Sequence, residues 1–367
     1  VLGWFWCKRL PESSQAGLAP QIAGAGLLAL GWGCVAASRD ARAYALFLAF
    51  ALLSCLCSLR MLRKPGVGVV LGYVISSALM VFSHYGAFAV LLAQNLMAIA
   101  SLRLRPWLQW LPWLIVQLLL LVLALPLVPH LLQVRARMTG GPPRTLAVAG
   151  AHLSETALWL TGGVTLAIML GVLTLWGLIR SRPPAGVKLG ILGLIVLPVA
   201  IPLTSWYFDG PQYFPRHALA ASLGLAGGAA LGIAALPRWR NAVLGLVLAV
   251  AAGTLWTHRD GLRKPAMRQA AEYVARSAQP GDTVVVSLMM AGWSFDRYYP
   301  RTDTRRRNYD EFTVSQVVRG QPGMRRLWVV LNEHAIPEQK LIAESPMSIV
   351  SHARFYGIDV YELERVE

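Results

Sequence analysis

The stretch Ala37-Ser38-Arg39-Asp40-Ala41-Arg42-Ala43-Tyr44-Ala45-Leu46 sets one acid and two arginines between two long apolar runs. Asp40 is one of only four acidic residues among positions 1 to 257. A carboxylate beside a hydrocarbon layer is costly unless it is paired or faces a wet cavity, so Asp40 is a candidate functional group by its place in the chain. The plain alternative is a solvated turn in which Asp40 offsets Arg39 or Arg42. Outward from this turn, apolar runs of about 17 to 25 residues, the length a bilayer demands, fall at 17 to 38, 42 to 60, 66 to 83, 85 to 101, 109 to 132, 156 to 179, 186 to 205, 217 to 236 and 240 to 257. The predicted fold is an α-helical polytopic membrane protein with about nine spans.

Composition supports that class. Hydrophobic residues make up 56% of the 367 and charged residues 14%, with a mean hydropathy of +0.51, which does not describe a soluble chain of this length. The net charge of +16 could suggest nucleic acid, but the basic residues punctuate apolar runs and form no single patch, so nucleic acid is not an expected partner. Alternate connections carry Lys8, Arg9, Arg60, Arg63, Lys64, Arg103, Arg105, Arg180, Arg182, Lys188, Arg238 and Arg240, against Arg39, Arg42, Arg135, Arg137, Arg144 and Arg216 on the other side. The richer set reads as cytoplasmic. Asp40, Glu155, Asp209 and His84, His130, His152, His217 and His258 then fall outside.

After Thr257 the composition changes, with 16 basic and 14 acidic residues in the last 110. This predicts two domains: a transmembrane region at 1–257 and an extracytoplasmic soluble α/β domain at 258–367. Residues 264 to 277 alternate at helical period, Pro280-Gly281-Asp282 makes a turn, 283 to 288 and 327 to 331 read as strands, and 359 to 366 alternates as an outer strand does. Arg305-Arg306-Arg307 reads as a solvated loop. Gly162-Gly163 and Gly227-Gly228 lie within apolar runs and read as sites of close helix packing. Glu155, after Ser154, suits the first turn of a helix.

Cys7, Cys34, Cys55 and Cys57 lie in or beside spans and have no disulfide or zinc spacing. No phosphate-cradling glycine loop lies beside a strand, so no nucleotide cofactor is expected. Metal ligands are not identified, although Asp40 and a carboxylate upstream of Val1 could form a hard divalent-metal site. The opening Val1-Leu2-Gly3-Trp4-Phe5-Trp6 reads as a helix already in progress, and thus as an N-terminally truncated fragment.

Arg39-Asp40-Ala41-Arg42-Ala43-Tyr44-Ala45-Leu46 at the head of a span, Ser83-His84-Tyr85 between spans, Phe214-Pro215-Arg216-His217 opening a late span, and Arg268 with Pro280-Gly281-Asp282 in the tail carry a resemblance. The chain resembles the bacterial GT-C membrane glycosyltransferases of the protein mannosyltransferase and aminoarabinose transferase type, including lipopolysaccharide-core galacturonosyltransferases. That family usually reads Gln-Glu-Ala-Arg-Met-Tyr where this chain has residues 39 to 44, and Arg-Tyr where it has Arg216-His217. The resemblance implies an inverting transferase of the bacterial inner (plasma) membrane and cell envelope. It would move a sugar from a polyprenyl-phosphate carrier to a lipid, glycan or protein acceptor on the outer face. It also implies Asp40 as a catalytic carboxylate, with Arg42, His84, Tyr85 and Arg216 as substrate-binding residues. The family's principal catalytic carboxylate would lie upstream of Val1, so this fragment by itself is expected to be inactive. For Tyr44, packing at the interface is the preferred reading. A guanidinium can hold phosphate through two parallel hydrogen bonds, which suits Arg42 and Arg216 to a leaving carrier phosphate. A flippase or transporter of lipid-linked sugars would show internal repeats and mid-membrane charges, neither of which is visible. The second alternative is a non-enzymatic membrane scaffold whose outer domain binds a partner.

Overall fold

The computed structural model describes residues 19–39, 43–103, 106–129, 133, 145–208, 215–259, 265–286, 294–300, 303–308, 318, 323–332 and 347–365. The chain forms two compact units, Val1–Leu262 and Arg263–Glu367.

In the first unit the described helices are α1 (Ala19–Leu30), α2 (Trp32–Arg39), α3 (Tyr44–Arg63), α4 (Val67–Ser83), α5 (Ala87–Leu102), α6 (Leu111–Ala124), α7 (Leu146–Thr161), α8 (Val164–Arg180), α9 (Ala185–Tyr207), α10 (Ala221–Ala234) and α11 (Arg240–Thr257). Their interior is mainly apolar, but unlike a water-soluble bundle their exterior is apolar as well. Leu118, Leu121, Ile168, Val172, Leu175 and Ile179 are each about 60% exposed, while Ser54, Ser77 and Gln94 are buried. Apolar side chains outward and hydrogen-bonded polar ones inward is the arrangement hydrocarbon solvent selects.

The buried polar groups join four helices. Tyr73 Oη donates to Gln94 Oε1 at 2.9 Å, Gln94 Nε2 donates to Ser54 Oγ at 2.9 Å, and Ser54 and Ser77 hydroxyls pair at 2.8 Å. Gln117 Nε2 reaches Tyr73 Oη at 3.1 Å, Asn95 Nδ2 donates to Gln117 Oε1 at 3.1 Å, and Trp113 Nε1 to Asn95 Oδ1 at 2.9 Å. These bonds cross-link α3, α4, α5 and α6 inside the bundle. Elsewhere small residues allow backbones to approach. A Cβ on Gly177 of α8 would meet the Gly232 amide nitrogen at 2.5 Å and the Gly228 carbonyl oxygen at 2.8 Å of α10. Gly190 and Gly193 of α9 lie against Met97 and Ala93 of α5. The Gly227-Gly228 segment thus packs closely, as small residues do between membrane helices.

Gly162 packs closely as expected, since a Cβ there would meet Thr254 Cγ2 at 2.6 Å and Trp32 Cβ at 2.8 Å, but it also breaks the helix. It ends α7 in the left-handed region at φ 81°, and α8 leaves at 89° to α7. The apolar run at 156 to 179 is therefore not one straight helix. The run at 17 to 38 is likewise divided at Gly31 between α1 and α2. Four helical segments are long and apolar enough to span a bilayer, Tyr44–Arg63, Trp107–Leu127, Ala185–Tyr207 and Arg240–Thr257, or five if the bent α7–α8 pair counts as one. Val67–Ser83, Ala87–Leu102 and Ala221–Ala234 are apolar but shorter. Nine full-length spans are not found among the described residues, because breaks and 3-10 turns shorten the helices that the apolar runs suggested.

The second unit carries α12 (Met267–Ser277) and strands β1 (Thr283–Val286), β2 (Arg305–Asn308), β3 (Arg326–Asn332), β4 (Met347–Phe355) and β5 (Ile358–Arg365). The sheet order is β2-β1-β3-β5-β4, with β1 parallel to β2 and β3, and β5 antiparallel to β3 and β4. Met267, Ala270, Ala271 and Val274 of α12 pack with Val284, Val286, Trp328 and Val360 on one side. Val285, Leu327, Val329 and Leu363 form the core of the opposite side, so β1 is buried along its whole length because both its faces are covered. Gly281 turns the chain at φ 89°, and Asp282 Oδ2 accepts from Gln279 N at 2.8 Å and Trp328 Nε1 at 3.0 Å.

Two expectations change here. Arg305-Arg306-Arg307 is not a loop, since these residues pair in register with Thr283, Val284 and Val285. The β5 strand is also internal to the sheet, and β4 forms its edge. Its alternating acids are matched by neighbouring strands: Asp359 by His352 and Arg354 at 2.8 and 2.9 Å, and Glu364 by Arg326 at 2.8 Å. Burial would raise the Asp359 carboxyl, but the hydrogen bonds from Arg354 and His352 hold it below its ordinary value.

Candidate functional site

Three chain turns meet at one end of the first unit. Tyr44 is the first residue of α3, His84-Tyr85-Gly86 connects α4 to α5, and Pro215–Ala218 forms a 3-10 turn before α10. The turn at His84 is fixed locally. Its amide donates to Met80 O at 3.1 Å, its carbonyl accepts from Ala87 N at 3.0 Å, and its Nδ1 accepts from Gly86 N at 2.9 Å. Because Nδ1 is an acceptor there, the neutral ring carries its proton on Nε2, which is left as a donor.

Around this ring the aromatic residues close in. His84 stacks on Tyr85 with centroids 4.3 Å apart, and lies 5.0 Å from Tyr44, 5.1 Å from Phe47 and 6.1 Å from His217. Tyr85 meets His217 edge-on at 5.1 Å. Tyr44 and Phe47 are buried, whereas Tyr85 is 43% exposed. The 3-10 turn also packs on α7 and α9, where His152 meets the buried Trp206 edge-on at 4.9 Å.

Arg216 supplies the positive charge. Burial pushes His84 down to about 4, and the Arg216 guanidinium adds to the depression. His217 is pushed down to about 3 by burial, His84 and Arg216. The Tyr85 phenol is raised, chiefly by burial and further by Tyr44, with Arg216 opposing. At neutral pH the group is one guanidinium accompanied by neutral imidazoles and phenols. It is equipped to receive an anion, because a fixed cation and neutral donors stabilise negative charge without needing to titrate.

The structure therefore brings together His84, Tyr85 and Arg216. Asp40 and Arg42 lie outside the described residues, although Tyr44 two positions later stands in the cluster. Tyr44 packs, as read from the sequence, but it packs on His84. His217 and Phe47 were not singled out as site residues. The adjacency of His217 to Arg216 was the available signal, but its proximity to His84 depends on the folded chain. Glu155 is not in a first turn: α7 begins at Leu146 with Thr145 as its cap, and the Glu155 carboxylate lies 3.6 Å from His152 Nδ1. Among the described residues no group of three or more His, Cys, Asp or Glu side chains could hold a metal ion.

The opposite end differs in charge. Arg60, Arg63, Lys64, Arg103, Arg180, Arg182, Lys188, Arg238 and Arg240 lie in helix ends or connections there. No Asp or Glu is among the described residues of that end.

The chain is similar to a mycobacterial arabinofuranosyltransferase. The cryo-EM structure of arabinofuranosyltransferase AftD from Mycobacteria matches with a TM-score of 0.49 and 15% sequence identity, over 100% of this chain and 34% of that chain. This chain thus spans about a third of AftD. No family model matches the sequence. No curated protein matches it either.

Proposed function

We propose that this chain acts in glycosyl transfer, moving a sugar from a polyprenyl-phosphate carrier to an acceptor at the outer face of a bacterial plasma membrane. The observation that carries the reading is the convergence of Tyr44, His84, Tyr85 and Arg216 at one end of the bundle. Each belongs to a different member of the ordered motif set that resembles the GT-C transferases, except His84 and Tyr85, which share one.

In this reading an acceptor hydroxyl oxygen attacks the anomeric carbon as the bond from that carbon to the carrier phosphate oxygen breaks. The phosphate leaves with the bonding pair. Its charge is received by Arg216 and by neutral donors of the His84 group. The hydroxyl proton passes to a carboxylate, for which Asp40 is this chain's candidate, with Arg42 beside it in sequence as a further phosphate partner. Attack opposite the leaving group inverts the anomeric centre. An apolar groove of about 520 Å³, lined in part by Ala45, Leu48 and Leu52 on α3 and by Leu223 on α10, could take carrier hydrocarbon next to Tyr44.

The test is transfer in proteoliposomes containing the intact protein and polyprenyl-phosphate sugars of defined headgroup. Sugar transfer with release of polyprenyl phosphate supports the reading, and loss on replacing Arg216 ties it to this site. Movement of the lipid-linked sugar between leaflets without glycosidic cleavage would replace the reading with a flippase.

A further inference from the structure

The other end of α3 carries a feature that sugar transfer does not use. Arg60, Arg63 and Lys64 lie in its last turn and cap, all exposed, immediately before Pro65-Gly66. No carboxylate of that end is available to them among the described residues. Leu59, Arg60, Arg63, Lys64 and Val69 line an opening of about 370 Å³ between α3 and α4. Arg63 also borders a second opening of about 360 Å³, whose wall includes Pro65, Leu102, Leu108, Pro112 and Trp113. Trp107, 72% exposed, stands next to this wall in sequence, and an exposed indole at a span end favours the headgroup level.

We propose that this end of α3 binds an anionic glycerophospholipid, its phosphodiester among Arg60, Arg63 and Lys64 and an acyl chain in the apolar opening beside Arg63. The paired openings match both halves of such a molecule. Three cations concentrated over a turn and cap favour a headgroup of net negative charge over a zwitterionic one, and clustered basic side chains at a membrane boundary attract anionic lipid. Cations that only anchor a helix snorkel to the interface and need no adjoining groove. The site is distinct from the His84 group, so failure of either reading leaves the other standing.

The experiment is native mass spectrometry of the full chain in detergent, titrated with phosphatidylglycerol or phosphatidylcholine of matched acyl chains. Selective retention of phosphatidylglycerol is expected, with retention reduced in about 0.5 M salt, where screening shortens the reach of the charges. The pair Arg63→Gln and Lys64→Gln should weaken that binding roughly 30-fold. Removing the same charge elsewhere at this end, with Arg180→Gln and Arg238→Gln, should leave it nearly intact. Glycerol phosphate, which has the headgroup chemistry without tails, should compete poorly. Equal retention of the two lipids by the unaltered chain overturns the proposal without recourse to any variant. Equal weakening by both double variants reduces the cations to general surface charge, and strong competition by glycerol phosphate identifies a free-phosphate site instead.

Discussion

Arg216 places a guanidinium in a group whose imidazoles resist protonation, so at neutral pH the positive charge is carried by the arginine. Lysine would keep the charge and lose the planar fork that holds phosphate through two bonds. If Arg216 receives the carrier phosphate as proposed, Arg216→Lys should slow transfer by roughly 10- to 100-fold, as expected for loss of a charge-assisted bond of about 1.5 to 3 kcal/mol. The check is the turnover rate of the intact enzyme at matched protein level and folding; a wild-type rate would leave Arg216 as an interfacial anchor. The histidines make a separate prediction. Their folded pKa values, about 4 for His84 and about 3 for His217, lie below the ordinary 6.5. Between these values the unfolded chain binds more protons than the folded one, so stability rises with pH across that window and is lost on acidification. Thermal unfolding in micelles should shift downward as pH falls from about 6.5 towards 4. His84→Gln, which does not titrate, should flatten part of that slope. An unchanged slope would show that the acid sensitivity lies elsewhere.

For the helices, the main control is how closely backbones approach and where they break. Gly232 of α10 lies directly against Leu173 of α8, and no side chain fits there without parting the helices. Gly232→Leu should cost about 1 to 3 kcal/mol through overpacking, read as a lower unfolding midpoint, while the same change at Gly171 of α8, where a Cβ meets nothing within 4 Å, should be tolerated. Gly162 combines a left-handed backbone with a Cβ position only 2.8 Å from Trp32 Cβ. Gly162→Ala should cost about 1 to 2 kcal/mol from the backbone alone. The polar network predicts a smaller effect. Gln94→Met keeps the volume but leaves Tyr73, Ser54 and Ser77 to re-pair. The expected loss in detergent unfolding is about 0.5 to 2 kcal/mol, the range of interhelical hydrogen bonds in membranes; no loss would mean that the remaining polar groups re-pair fully.

Across the whole molecule, charge separates along the first unit. The cationic connections lie at the end away from the His84 group, and the positive-inside bias predicts that end to be cytoplasmic. We predict that Glu367 lies outside the cytoplasm. Alkaline phosphatase fused after Glu367 should be active in a bacterial host, and an inactive fusion together with an active cytoplasmic reporter at the same position would reverse the orientation.

Apolar run length and composition were enough to read a membrane chain with a more polar C-terminal region, because hydrocarbon burial depends on local residue type. The same local chemistry marked His84, Tyr85 and Arg216 as residues at span ends. It could not show that Gly162 also turns a run through 89° while Gly228 stays inside an unbroken helix, since the two glycine pairs look alike in one dimension. Nor could it show that Arg305-Arg306-Arg307 would pair with β1, or that β5 would be flanked on both edges, because strand order follows from long-range register. His217 joined the site only through tertiary contact. Its ring meets Tyr85 and His84 because α4, α5 and α10 end at the same level, a coincidence set by helix packing and turn geometry and by no residue acting alone.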